Sequence, residues 1–282
     1  GSMSPSFSYQ RHTPGRVPCE DAFSWQEGLC SQRIDALSRL CSAHDGHRNL
    51  GGSLLQEVLA GSALGWLETQ GRAYLQLGSQ QLEMLVHPDW RGLGWGSWLL
   101  ARALRERTQV TTWAYGDRKE TVQWLERNGF VSHRLLYKMR YEQAPPPPPE
   151  WPDGWTLSCY RNEHAEAWHR LHVGLQKDPT RAWSLRRLEK QLARPETPPE
   201  RFWLLWEGSQ LRGYLWLKDD EIFLLALDPA SRGQGIGRRL LQWAMSRSGQ
   251  AWGFCDQSET VELYRKLGFS EVGRDRCLRR ST

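Results

Sequence analysis

Two stretches of this sequence have residue types and spacing suited to holding an anion. They are Arg91-Gly-Leu-Gly-Trp-Gly96 and Arg232-Gly-Gln-Gly-Ile-Gly237, both of the form Arg-x-x-Gly-x-Gly. Each follows a short apolar run and a proline, and each precedes a helix-like apolar stripe. Glycines let the backbone turn tightly, so that successive N–H groups converge on phosphate oxygens at a helix N-terminus. An adjacent arginine adds charge-assisted contacts. The candidate ligand-holding residues are Val86, Arg91, Gly92, Gly94 and Gly96 in the first stretch. In the second they are Leu227, Arg232, Gly233, Gln234, Gly235, Ile236, Gly237 and Arg238. No Gly-Lys-Ser/Thr follows, so neither is a P-loop, and the glycine spacing is not the dinucleotide Gly-x-Gly-x-x-Gly. One copy alone would read equally well as a glycine-rich helix start. Two copies in matched contexts favour a phosphate-bearing ligand.

The elements around the second loop are legible by pattern. Arg212–Leu217 and Glu221–Leu227 suit strands, and Lys218-Asp219-Asp220 suits the turn between them. Leu240, Leu241, Ala244 and Met245 share one helix face, as do Leu99, Leu100, Ala103 and Leu104 in the first stretch. A short strand follows at Trp252–Phe254 (Trp113–Tyr115 in the first copy). A helix then runs from about Glu259 to Gly268, a residue suited to the left-handed cap position. This order predicts an α/β (α+β) domain with a mixed sheet.

The chain is a repeat. Arg72–Leu77 parallels Arg212–Leu217, Val86–Gly96 matches Leu227–Gly237, and Trp113–Asp117 matches Trp252–Asp256. Glu120–Phe130 matches Glu259–Phe269, again about 140 residues further on. Between the copies, Ala144-Pro-Pro-Pro-Pro-Pro-Glu150 reads as a stiff extended spacer. The linear division is therefore 1–143, a linker at 144–150, and 151–282, a pseudo-symmetric repeat within one monomer.

Composition narrows the class. The 282 residues carry a net charge of +5, with 39% hydrophobic and 24% charged residues, which excludes disorder and collagen-like repeats. No run approaches the roughly 18 apolar residues of a membrane helix, and no signal peptide is visible. Six scattered cysteines suggest a reduced, cytoplasmic protein with neither disulfide framework nor metal site. The basic charge is too diffuse to argue for nucleic acid. Arg274, Arg276, Arg279 and Arg280 read as a solvated terminus. With 16 Trp and only Ile34, Ile222 and Ile236, indoles are expected to fill part of the core.

The loops, together with Leu263-Tyr-Arg-Lys-Leu-Gly-Phe269, resemble the GNAT superfamily of acetyl-CoA-dependent N-acetyltransferases. That resemblance implies two tandem GNAT-like domains, acetyl-CoA as co-substrate, and no metal. It implies that the loop binds the CoA pyrophosphate, and that backbone near Leu227 holds the pantetheine arm and the thioester. It places Tyr264 where the family keeps a tyrosine acid. The tandem organisation narrows the likeness to members that acetylate the cysteinyl amine of a glucosamine-inositol conjugate. Trp113–Asp117 and Glu221–Pro229 carry this narrower likeness, which gives Glu221 the role of base. An alkylammonium must lose a proton before it attacks a thioester, and the departing thiolate needs one. Read without the family, Tyr264 is an aromatic on a Val261–Tyr264–Leu267 core stripe, and Glu221 an exposed turn carboxylate. Lys218 reads as a substrate-binding cation or a solvated turn residue, and Asp256 as a cleft-end or loop residue.

In the first copy, the position of Tyr264 falls on Leu125, and that of Glu221 on Gln80 or Gln81. The expectation is a catalytic second copy and a degenerate first copy that binds acetyl-CoA or buttresses the acceptor cleft. The acceptor would be the primary amine of a small molecule; antibiotics, polyamines, amino acids and protein amines are alternatives. A non-catalytic acyl-CoA sensor is the competing class.

Overall fold

The computed structural model describes residues 23–24, 29–256 and 258–281. Contacts divide the chain into two compact units: residues 1–136 with 274–282, and residues 137–273.

The first unit contains β1 (Phe23–Ser24), α1 (Ser31–Asp45), α2 (Gly52–Leu59), β2 (Leu64–Glu68), β3 (Ala73–Leu77) and β4 (Gln81–Val86). These are followed by α3 (Trp95–Glu106), β5 (Val110–Tyr115), α4 (Lys119–Arg127) and the start of β6 (Val131–Arg140). Strands β1 to β4 pair antiparallel in order. Helix α3 is a crossover, so β5 runs parallel to β4. The other edge of β5 is covered antiparallel by Asp275–Arg280. The apolar stripe of α3 (Leu99, Leu100 and Ala103) packs on one sheet face with Leu75, Leu77 and Leu82. Ile34, Leu37 and Cys41 of α1 pack on the other, with Tyr74 and Leu85. Side chains alternate across a strand, so neighbours Tyr74 and Leu75 serve opposite layers.

The second unit repeats this plan. Its elements are β7 (Trp155–Cys159), α5 (Ala165–Leu175), α6 (Leu185–Leu192), β8 (Phe202–Glu207), β9 (Gln210–Lys218) and β10 (Glu221–Leu227). Then come α7 (Ile236–Ser246), β11 (Trp252–Cys255), α8 (Ser258–Lys266) and β12 (Ser270–Arg280), whose later residues belong to the first unit. Strands β7 to β10 are antiparallel, and β10 and β11 are parallel. The far edge of β11 pairs with Tyr137–Arg140 of β6. Leu240, Leu241, Ala244 and Met245 are buried on one face with Ile222 and Tyr264. Trp168, Trp183, Phe202 and Trp216 form an aromatic layer on the other.

The mixed α/β architecture matches the pattern-based reading. The basic terminus does not. Arg274–Arg280 is strand, with Cys277 and Leu278 buried. Arg276 pairs with Asp117, and Arg280 donates to the Asn128 carbonyl. Backbone pairing with β5 explains the difference, since a strand edge needs a partner whatever the side-chain charge. Among the described residues eight tryptophans are buried: Trp66, Trp90, Trp95, Trp155, Trp168, Trp183, Trp203 and Trp216. Indoles therefore do fill core space. The proline run lies against α7, where Gln242 donates to the Pro147 carbonyl and Arg239 to that of Glu150. A polyproline segment makes no internal hydrogen bonds, so its carbonyls are available to neighbours.

Candidate active site

The second loop starts where β10 ends. Asp228 accepts from Ala230 N–H and pairs with Arg212 at 3.1 Å, which fixes the exit from the strand. Gly233 and Gly235 have φ of +87° and +72°, left-handed values that disfavour a side chain. Gly235 is the N-cap of α7, so the N–H groups of Ile236, Gly237 and Arg238 have no intrahelical acceptor. Space around Gly233 is open, and Arg232, Gln234 and Arg238 are exposed. Arg239, which pattern reading missed, braces the loop by donating to the Gln234 and Gly235 carbonyls.

The strands beside the loop part. Pairing of β10 with β11 covers only Glu221–Trp252 and Ile222–Gly253, although β10 runs on to Leu227 and β11 to Cys255. A bulge in β10 between Ile222 and Leu224 accompanies the parting. Beyond it, β10 keeps its partner β9 but has no β11 partner. The open backbone edge leads from the fork toward the exposed N–H groups of the loop. It fits a chain of amide groups ending in a pyrophosphate, as in CoA. Leu227 lies at the end of that edge.

Tyr264, on α8, is at the fork. Its hydroxyl is 3.6 Å from the place a Cβ on Gly253 would occupy. Its ring packs edge-on against Phe269 and is buried. Burial pushes the phenol well above its ordinary range, so the proton is retained at neutral pH. The residue is both core aromatic and candidate acid. Glu221 opens β10 half-buried, opposite exposed Lys218 across the Asp219-Asp220 turn. Ile222 packs into the layer that holds Tyr264, so strand alternation directs Glu221 to the opposite sheet face. Asp256 comes within 3.9 Å of Arg181.

The first loop shares the glycine geometry: Gly92 and Gly94 have φ of +76° and +92°. Pairing of β4 with β5 likewise stops early, at Gln81–Thr111 and Leu82–Thr112. Its arginine is engaged differently. Arg91 makes a bidentate ion pair with Asp45 at 2.6 and 3.0 Å, and donates to the Val86 carbonyl. Burial favours the neutral form of Asp45, but hydrogen bonds from Arg91 and His44 outweigh it and hold the carboxyl at about 2. Gly96 lies near Trp124. Leu125, at the repeat position of Tyr264, is plain core.

Beside this loop is a cavity of about 320 Å³ that pattern reading missed. Glu83 of β4, only 2% exposed, lines it. Its one sequence signal is an isolated charge within Gln81-Leu-Glu-Met-Leu-Val86. Among the described residues no cluster of three or more His, Cys, Asp or Glu side chains could hold a metal ion. None of their helices is long and apolar enough to cross a membrane.

A strand fork, a left-handed glycine loop at a helix start, and the same plan used twice define an acetyl-transfer fold. The chain belongs to the GNAT acetyltransferase family and is an acetyltransferase acting on an amine: the acetyltransferase (GNAT) domain model matches residues 54–132 and again 198–271. Among curated relatives, the mycothiol acetyltransferase of Thermobispora bispora is 31% identical over 76% of this chain and 80% of its own length. That of Thermomonospora curvata is 29% identical over 91% and 96%. Two solved structures share the fold. A GCN5-related N-acetyltransferase from Sphaerobacter thermophilus superposes with a TM-score of 0.70 at 21% identity, covering 94% of this chain and 96% of that one. A tandem GNAT protein from the clavulanic acid biosynthesis pathway gives 0.65 at 14%, covering 91% and 97%.

Proposed function

We propose that the second unit performs the transfer, with the primary amine of a small molecule as acceptor. The observation that carries this reading is the Tyr264 hydroxyl at the fork of β10 and β11. Acetyl-CoA, when bound, supplies the thioester. The N–H groups from Gly233 to Arg238 hold the pyrophosphate, with Arg232 and Arg238 adding charge. The open edge of β10 up to Leu227 orients the pantetheine arm. Glu221 takes the proton from the acceptor ammonium, directly or through water. Tyr264 gives its proton to the departing sulfur. Lys218 beside Glu221 binds an acceptor hydroxyl or carboxylate.

The relatives' names and the tandem plan support the mycothiol precursor, with its cysteinyl amine, as the acceptor. The first unit serves as a degenerate copy whose Val86, Arg91, Gly92, Gly94 and Gly96 retain the cradle. Its loop arginine is already engaged by Asp45. The scattered cysteines support a reduced, cytoplasmic protein, and the internal repeat supports a chain that works as a monomer.

The test is a CoA-release assay on Tyr264→Phe, Glu221→Gln and Leu125→Ala, using the cysteinyl-glucosamine-inositol acceptor. The first two are expected to lose most activity and the third to keep it. Equal rates in all three would overturn the assignment. Turnover with simple polyamines but not with this conjugate would overturn the acceptor.

A further inference from the structure

The proline segment lies wholly within the second unit and is held at both ends. Before it, Tyr141 donates its N–H to the Ala251 carbonyl at 2.8 Å and packs its ring on Phe269. After it, Trp155 is buried and opens β7. Between these anchors Pro146 and Pro149 are half-buried, whereas Pro145, Pro147 and Pro148 are exposed. A period of three is that of a polyproline II helix with one face on its neighbour. The neighbour is α7, whose Gln242 holds the Pro147 carbonyl at 2.9 Å. Proline φ is fixed, so a proline segment tied at both ends has little conformational freedom left. Its carbonyls stand at set positions.

The glycine loop is tied to this segment through one side chain. Arg239 donates from Nε to the Glu150 carbonyl at 2.9 Å. From Nη1 it donates to the Gln234 and Gly235 carbonyls at 3.2 and 3.1 Å. A guanidinium is planar and rigid, so seating Nε on the proline segment fixes where Nη1 points. Gly235 leaves room for it, since a Cβ there would stand 2.9 Å from Nη1. A trans peptide is planar, and its N–H points opposite to its carbonyl. Holding the Gln234 and Gly235 carbonyls therefore turns the N–H groups of Gly235 and Ile236 away from Arg239, toward the open side of the loop.

We propose that Arg239 is a positioning residue for CoA binding, and that the proline segment is the support against which it works. The inference rests on the reading of this loop as the CoA cradle. The loop donors are aimed before CoA arrives, so binding has little left to order. The five prolines thus belong to the cofactor site, although none of them touches the cofactor.

The experiment is calorimetric titration of the full chain with CoA, alongside steady-state rates with acetyl-CoA varied. Arg239→Ala should raise the CoA dissociation constant about tenfold, the scale of one charge-assisted hydrogen bond. The KM for acetyl-CoA should rise with it, while kcat and the melting temperature change little. Arg239→Lys keeps the charge but lacks the fork that reaches both supports, and should bind CoA nearly as weakly. Pro147→Gly combined with Pro148→Gly spares the two rings that face α7 and removes stiffness, and should weaken CoA binding severalfold. Added to Arg239→Ala, the same pair should weaken it no further, because the segment acts through that side chain. Full affinity in Arg239→Lys, or additive effects of the proline and arginine changes, overturns the proposal. Unchanged CoA binding in Arg239→Ala also overturns it; if Gly235→Ala still weakens binding, the cradle itself stands. Absence of CoA binding to the unmodified protein overturns the cradle and the proposal together.

Discussion

The Tyr264 hydroxyl looks onto Gly253, 3.6 Å from where a Cβ would stand, and Gly253 with Ile222 is the last pair before β10 and β11 part. Removing only the hydroxyl keeps the packing of the ring on Phe269. Tyr264→Phe should therefore lower kcat about 10²-fold, the usual range for a proton donor, with little change in KM or melting temperature. Gly253→Ala attacks the same point from the other strand. The new methyl would meet Ile222 Cβ at 3.2 Å and its carbonyl at 3.4 Å. Steady-state kinetics should show kcat falling in that variant as well.

Glu221 differs from Tyr264 in kind, being half-buried at a strand start and not core. Glu221→Gln should cost about 10²-fold in kcat, while acetyl-CoA still binds normally by calorimetry. Its rate should recover as pH rises and free amine becomes abundant. A rate deficit that is flat with pH would argue against a base at this position.

The loop makes a separate, thermodynamic prediction. A methyl on Gly235 must tolerate φ of +72° and would lie 2.9 Å from Arg239 Nη1. Gly235→Ala should destabilise the second unit by about 1–2 kcal/mol. It should also raise the dissociation constant for CoA severalfold, because the N–H groups it aims are displaced. Calorimetry with CoA alone reads this without any acceptor.

The aromatic layer of the second unit predicts acid sensitivity. His172 Nε2 accepts from Trp183 N–H at 2.9 Å, its Nδ1 is 2.8 Å from the Tyr214 hydroxyl, and its ring stacks on Trp168. Burial, with His169 and Arg187 adding to it, pulls the imidazole down to about 4 from 6.5. The unfolded chain thus binds this proton first as pH falls. Stability from His172 is full above about 6.5 and is lost between there and about 4, by roughly 2–3 kcal/mol. Urea midpoints measured across that range should show the slope in the unmodified protein. His172→Gln should flatten it.

The parts of the molecule legible in sequence were those with a strong period or a special backbone. Leu240, Leu241, Ala244 and Met245 announce α7, and Gly268, at φ of +96°, the left-handed end of α8. The helices α1, α2, α5 and α6 were not expected. In α5 the buried stripe is Trp168 and His172, residues whose burial depends on partners in β8 and β9. In β12 the arginines hid a strand that backbone pairing specifies. Glu83 was illegible for a similar reason. Its burial depends on hydrogen bonds from Gly51, Gln76, Gln81 and Tyr115, which converge only in the folded first unit. The fork at Ile222 depends on where two strands stop pairing, which no single-strand pattern encodes.

Gly116 and the Asp275 carboxylate that accepts its N–H are 159 residues apart. The β5 edge they help to close is therefore bare for as long as the ribosome takes to make that stretch, roughly 10–30 s at ordinary elongation rates. During that interval the nascent first unit carries a strand paired on one side only, the kind of edge that recruits other chains. Assembly of this protein is thus timed by its own translation. Chains stalled before residue 275 should be cut by protease near β5, whereas released chains should resist.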